Sequence, residues 1–239
     1  MYINYKLIGK GEKTVLFLHG WGANLNSFLF FENANLINSK MLFVDFAGFG
    51  ESEKLSNPFD VFDHALQVFK LLKQLQINNI SIVCHSFGGR VAIVLETMFN
   101  VKVDNLVLIG SAGIKPKFSL VTFFKIRLFK FLKIINKIVK IDLSKFGSAD
   151  YKMLNNVQKT SFKKIVLFNQ KKYLKSIKSK TLIVWGKDDN QTPLYMAKIF
   201  NKKIAGSKLV VLQNCNHFCY VQKPQIVLFE VANFLNLNV

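Results

Sequence analysis

The 239-residue chain holds only three cysteines, Cys84, Cys215 and Cys219. Three thiols cannot pair into a disulfide framework, so the sequence reads as a reduced, cytoplasmic protein. It lacks any uninterrupted apolar run near the roughly 18 residues that a membrane span requires. Residues 1–6 read directly as a strand, with no leader pattern ahead of them. Acids are scarce, with 14 Asp or Glu against 33 Lys or Arg and a net charge of +19. Arginine is scarcer still, at two residues, Arg90 and Arg127. No recognised nucleic-acid module accompanies the positive charge, so a nucleic-acid partner is not expected. No repeat or low-complexity linker divides the chain. A composition that is 50% hydrophobic suits one domain built around a buried sheet.

The chemistry that is present concentrates in Val83-Cys84-His85-Ser86-Phe87-Gly88-Gly89. An apolar run at 80–83 precedes it and a helical pattern at 90–99 follows, so the segment reads as strand, sharp turn, helix with Ser86 at the tip. A serine so placed has an exposed hydroxyl and backbone N–H groups beside it, the geometry of a nucleophile elbow. The tightness of the turn demands small residues two positions before and after the serine. Gly88 meets that demand, and Cys84 is small enough to stand at the other position.

A nucleophilic serine needs a base, an acid that orients the base, and donors for a developing oxyanion. Residues 14–18 form an apolar strand running into His19-Gly20-Trp21-Gly22, which exposes backbone N–H groups at the strand's C-terminal edge. The backbone N–H groups of Trp21 and Phe87 are the expected oxyanion donors. Residues 181–185 read as a second buried strand, ending in Gly186-Lys187-Asp188-Asp189, with Pro193 opening the next helix. Asp188 and Asp189 compete as the acid. The Gly-x-x-Asp spacing and the distance of four to Pro193 select Asp189. Residues 208–212 read as a last strand, and His217 follows on a polar loop before the C-terminal helix, in the position of the base. His85 lies beside the nucleophile and should point away from it, His19 belongs to the oxyanion segment, and His64 falls in a predicted helix. Cys215-x-His217-x-Cys219 matches no common zinc spacing, so neither a metal nor a cofactor is expected.

The order Ser86, Asp189, His217, with the motifs HGWG (19–22), DFAGFGES (45–52), CHSFGG (84–89), WGKDD (185–189) and NHFCYVQKP (216–224), resembles the α/β-hydrolase fold superfamily across essentially the whole chain. The resemblance implies an α/β fold with a mostly parallel sheet covered by helices on both faces and a helical cap inserted after the sixth strand. It divides the chain into a core of residues 1–113 and 181–239 and a basic cap of residues 114–180. It also implies a structural role for Asp45, satisfying backbone donors. Cys84 departs from the usual elbow glycine, and Asn214 and Asn216 stand where glycines are common; asparagine tolerates left-handed backbone angles. A serine at the elbow excludes the related dehalogenases and epoxide hydrolases, which place aspartate there.

Residues 115–180 hold 18 Lys or Arg against two acids, Asp142 and Asp150. Residues 120–141 read as an amphipathic helix and 153–169 as a second helix, with a break at 146–148. Lysine over arginine follows from AT-rich coding. The local loss of acids fits an acidic acyl carrier protein or an anionic membrane surface as partner. The expected activity is hydrolysis of a small-molecule carboxylic ester or thioester, similar to carboxylesterases that cleave methyl esters of carrier-bound pimeloyl chains. A ring-cleavage C–C hydrolase, a membrane-surface lipase and a non-catalytic binding protein on the same fold are the alternatives. Arg90 and Arg127 alone could clamp a substrate carboxylate bidentately, and Arg90 reads as structural.

Overall fold

The computed structural model describes residues 1–34, 39–116 and 154–236. Seven strands form one sheet: β1 (Tyr5–Gly9), β2 (Lys13–Leu18), β3 (Ser39–Val44), β4 (Asn79–His85), β5 (Lys102–Ile109), β6 (Lys180–Gly186) and β7 (Lys208–Leu212). Their order is β1-β3-β2-β4-β5-β6-β7. The β1–β3 pair is antiparallel and every other pair is parallel. Among the described residues the α-helices are α1 (Val61–Gln74), α2 (Phe87–Thr97), α3 (Asn156–Leu167), α4 (Leu194–Lys203), α5 (Cys219–Gln222) and α6 (Pro224–Leu235), and a short 3₁₀ helix spans Tyr173–Ser176. A 3₁₀ helix at Leu25–Ala34 has no counterpart in the sequence reading.

The central strands are apolar without interruption because the sheet is covered on both faces. Alternate side chains divide into two cores. Leu16, Leu18, Ile82, Leu106, Leu108 and Trp185 pack under α1, α2 and α4. Val15, Phe17, Val83, Val107, Ile109 and Val184 pack under α6 and the 3₁₀ helix at Leu25–Ala34. This mostly parallel, doubly covered sheet is the expected α/β architecture. One count differs. The cap is expected after a sixth strand, but among the described residues five strands precede segment 114–180 and two follow it. The first described strand is already the antiparallel edge strand, so the numbering begins one strand later than expected.

Helix α3 spans part of the stretch expected to be helical at 153–169. Asn155 caps it, accepting from the Gln158 N–H at 2.8 Å while Gln158 Oε1 accepts from the Asn155 N–H at 3.1 Å. Three bonds tie α3 to the core: Phe59 N–H to Ser161 Oγ at 2.9 Å, Lys164 Nζ to Pro58 O at 3.1 Å, and Arg90 Nη1 to Phe168 O at 2.5 Å. Arg90 is buried, and burial lowers its pKa to about 10. Its guanidinium sits at the C-terminal end of α3, where the helix dipole favours a cation. That fastening is the structural role expected of it. The amphipathic stretch at 120–141, Arg127 and the break at 146–148 lie outside the described residues.

Candidate active site

Strand β4 turns into α2 at Ser86, which adopts φ 48° and ψ −107°. A non-glycine residue holds such angles only when its surroundings enforce them. The Ser86 N–H donates to Ile109 O at 3.0 Å, and Ser86 O accepts from Ala112 N at 3.0 Å and Gly89 N at 3.1 Å. The small-residue demand is met physically. A Cβ on Gly88 would collide with the Leu18 carbonyl, while Cys84 is fully buried with its Sγ donating to Val107 O at 3.1 Å. Burial pushes the Cys84 thiol up, so it stays neutral.

Asp189 and His217 meet on the same sheet edge, after β6 and β7. His217 Nδ1 lies 2.8 Å from Asp189 Oδ2, and both side chains are buried. Asp188, the competing acid, is exposed. Asp189 accepts three further bonds: Gln191 N–H at 2.9 Å and Thr192 N–H at 2.8 Å on Oδ1, and Thr192 Oγ1 at 2.7 Å on Oδ2. Burial alone would raise its pKa, but the bonds and charge of His217 and the bonds of Thr192 outweigh it and hold the carboxyl below its ordinary value. A carboxylate can only accept, so Nδ1 of His217 carries the proton and Nε2 is left as the basic nitrogen. Gly110 joins this pair to the elbow. A Cβ there would stand 3.4 Å from His217 Nδ1 and 3.5 Å from Asp189 Oδ2, and Ile109, one residue before it, and Ala112, two residues after it, hold the Ser86 backbone.

Thr192 escaped the sequence reading. The signal was present in its place, three residues after the acid and immediately before Pro193. Its hydroxyl also approaches Gly110 O at 3.1 Å and His217 Nδ1 at 3.2 Å. Thr192→Val keeps the shape and removes the donor to a buried carboxylate, so it should cost about 2 kcal/mol of stability. Urea unfolding at neutral pH measures this, and an unchanged midpoint would show that the hydroxyl is dispensable.

On the other side of Ser86 lie the two expected oxyanion donors. Phe87 is the first residue of α2, so its N–H has no acceptor within the helix. Trp21 stands on the loop after β2, and its ring packs edge-on against that of Phe87 at 5.4 Å. His19 anchors this loop. The Phe46 N–H donates to its Nε2 at 3.1 Å, so Nδ1 carries the proton and donates to Gly20 O at 2.7 Å. Burial lowers the His19 pKa to about 4. Asp45 ties the neighbouring loops by accepting from Leu25 N at 2.6 Å and Glu51 N at 2.9 Å, the role expected of it.

His64 is the second residue whose importance was not legible in the sequence. It is fully buried on α1 amid the rings of Phe87 (5.1 Å), Phe59 (5.4 Å), Phe46 (5.8 Å), Trp21 (6.3 Å) and Phe49 (6.4 Å). Neither of its ring nitrogens has a hydrogen-bond partner among the described residues, nor does Trp21 Nε1. Burial lowers its pKa to about 3, helped by nearby His19. The neutral imidazole serves as a sixth ring packed against Trp21 and Phe87, the two residues expected to supply the oxyanion donors.

Among the described residues no group of three or more His, Cys, Asp or Glu side chains is placed to hold a metal ion. Cys215 and Cys219 flank His217 in sequence and are buried. Burial, with Cys215 close by, pushes the Cys219 thiol up to about 12.

The sequence profile of the alpha/beta hydrolase fold matches residues 13–147, more than half the chain. The protein belongs to the α/β-hydrolase family. A 2-hydroxy-6-oxononadienedioate/2-hydroxy-6-oxononatrienedioate hydrolase of Escherichia coli is 27% identical over 98% of this chain and 90% of that protein. An esterase from Exiguobacterium antarcticum superposes with a TM-score of 0.75 at 23% identity, covering 98% of this chain and 95% of the esterase. A meta-cleavage product hydrolase from Pseudomonas fluorescens superposes with a TM-score of 0.74 at 20% identity, covering 98% and 94% of the two chains. At these identities the two structures share the hydrolase fold with this one. Among its described residues no helix is long and apolar enough to cross a membrane.

Proposed function

We infer that this α/β-hydrolase cleaves a carboxylic ester or thioester of a small molecule through an acyl-enzyme on Ser86. The observation that carries the reading is the buried His217–Asp189 hydrogen bond, which leaves His217 Nε2 basic on the sheet edge that bears the strained elbow serine. Ser86 Oγ attacks the carbonyl carbon as His217 Nε2 takes its proton. The oxyanion forms against the Trp21 and Phe87 N–H groups. His217 returns the proton to the leaving alkoxide or thiolate as the bond to it breaks. A water then attacks the acyl carbon as His217 takes its proton, and His217 passes that proton to Ser86 Oγ as the acyl bond breaks and the acid leaves. Asp189, fixed by Thr192 and Gln191, keeps His217 in the Nδ1–H tautomer and stabilises the imidazolium. Residues 114–180 act as the cap, with α3 as its fastening to the core. An acidic acyl carrier or an anionic membrane surface is the partner that the cap's sequence charge supports.

A second reading, hydrolysis of a C–C bond next to a carbonyl, is favoured by the name of the Escherichia coli relative. One assay series separates the two. The protein is incubated with p-nitrophenyl esters from acetate to palmitate and with a chromogenic 2-hydroxy-6-oxo-dienoate. A fluorophosphonate adduct is located in parallel by peptide mass. Ester turnover with the adduct on Ser86 is expected. Turnover of the dienoate with inert esters would transfer the reading to C–C hydrolysis, and no adduct with no turnover would overturn both.

A further inference from the structure

His85 precedes the nucleophile and is used nowhere in the mechanism above, yet it is one of the most constrained side chains of the site. It is 2% exposed. Its Nε2 lies 3.0 Å from the backbone oxygen of His217, a residue 132 positions further along the chain. A carbonyl only accepts, so Nε2 carries the proton, and Nδ1 is unprotonated and has no partner among the described residues. Its ring packs against those of His217 at 4.7 Å, Tyr220 at 4.7 Å and Phe218 at 5.6 Å. On its other side stands the oxyanion loop. A Cβ on Gly20 would come within 2.7 Å of His85 Nδ1 and 3.7 Å of Ser86 Cβ. Gly20 therefore lacks a side chain where the imidazole occupies the space.

We propose that His85 is a positioning residue that sets the reach of His217 toward Ser86, through the Nε2–H bond to the His217 carbonyl and through the packing of its ring between the oxyanion loop and the His217 loop. The inference rests on the serine-hydrolase reading for its kinetic consequence, but the geometry it describes is independent of substrate. His217 is held at its side chain by Asp189 and at its backbone by His85. The first bond selects the tautomer, and the second fixes where the ring stands. The strut is rigid because β4 supplies one end, and it stays uncharged because burial, reinforced by nearby His217, lowers the His85 pKa to about 3. An imidazolium at this place would face His217 itself, with Asp189 beyond it and His19 on the oxyanion loop.

Three variants test this. His85→Gln puts an N–H donor where imidazole Nε2 stands, His85→Asn puts its polar atoms no further than the Nδ1 position, and His85→Phe keeps a ring without a donor. Each is read in two ways: kcat and KM on a p-nitrophenyl ester, and the downfield proton resonance of the His217 Nδ1–H held by Asp189, followed by NMR. Thermal melting confirms that each variant is folded. His85→Phe should lower kcat about ten- to a hundredfold with little change in KM, and should broaden or shift the His217 resonance. His85→Gln should recover kcat to within about threefold of wild type and restore the resonance, and His85→Asn should do neither. Wild-type kcat and resonance in His85→Phe would overturn the proposal. So would rescue by Asn as good as that by Gln, or losses in all three variants that simply track melting temperature. If the wild type turned over no ester, the hydrolase reading would fail, while the resonance would still decide whether His85 positions His217.

Discussion

Replacing Ser86 with alanine should lower kcat for ester turnover by about 10⁴-fold or more, while the melting temperature stays within about 2 °C of the parent. The two halves of that expectation rest on different atoms. Turnover depends on Oγ, the only atom lost. Stability depends on the backbone, which is bonded to Ile109, Gly89 and Ala112 and would remain so. The Ser86 hydroxyl makes no capping bond to α2, so its removal leaves no helix donor unpaired. Residual activity above the uncatalysed rate would come from the oxyanion donors and substrate binding. A fall of less than tenfold in a folded variant would mean that another group is the nucleophile. Loss of the melting transition would mean that the elbow depends on the hydroxyl after all.

Acid should unfold the protein well before its carboxylates titrate. His19, His64 and His85 are all buried, and burial takes their pKa values from 6.5 to about 4, 3 and 3. The unfolded chain takes up protons at all three as the pH falls through 6.5, whereas the folded chain refuses them until the pH approaches 4 to 3. Stability is therefore intact above the unfolded value and falls below it. At about pH 5 each histidine subtracts about 2 kcal/mol, or about 6 kcal/mol together, comparable with the whole stability of a typical domain. Asp189 has a lowered pKa and loses its own contribution only at still lower pH. His64→Phe isolates one of the three. It replaces an imidazole whose nitrogens have no partner among the described residues with a sixth true ring. It should be neutral or stabilising at neutral pH and should recover about 2 kcal/mol at about pH 5. Urea unfolding at both pH values measures the difference. Equal stability changes at the two would show that His64 is already solvated in the folded state.

What the sequence made legible was the chemistry carried by short, local patterns. The elbow could be read because strand, turn and helix are consecutive in the chain, and the required smallness of Gly88 follows from the turn itself. The choice of Asp189 over Asp188 could be made from spacing to Gly186 and Pro193, and the structure buries the first and exposes the second. Asn214 could be read as a glycine substitute, and it adopts φ 54°. The features that escaped are those that only folding brings together. His64 gathers five rings from four stretches of chain, and nothing in the helical pattern of α1 announces them. His85 meets His217 across the site, so its place beside the serine suggested only that it should turn away. Thr192 drew no reading at all, because only the folded loop turns its hydroxyl onto Asp189. The strand count differed because a resemblance carries an order of motifs more faithfully than it carries the number of strands before the first one.

The strand order has a consequence for biosynthesis. After β4 settles beside β2, each later strand joins the outer side of the one made just before it: β5 on β4, β6 on β5, β7 on β6. The sheet can therefore grow in the direction of translation, without waiting for a later strand to be threaded into its middle. Strand β5 is the growing edge during synthesis of residues 110–179, the longest interval between consecutive strands among the described residues. Asp189 and His217 arrive only with the last two additions. On the proposed mechanism, a ribosome-bound chain carries Ser86 long before Asp189 and His217, and cannot turn over an ester until β6 and β7 have joined the sheet.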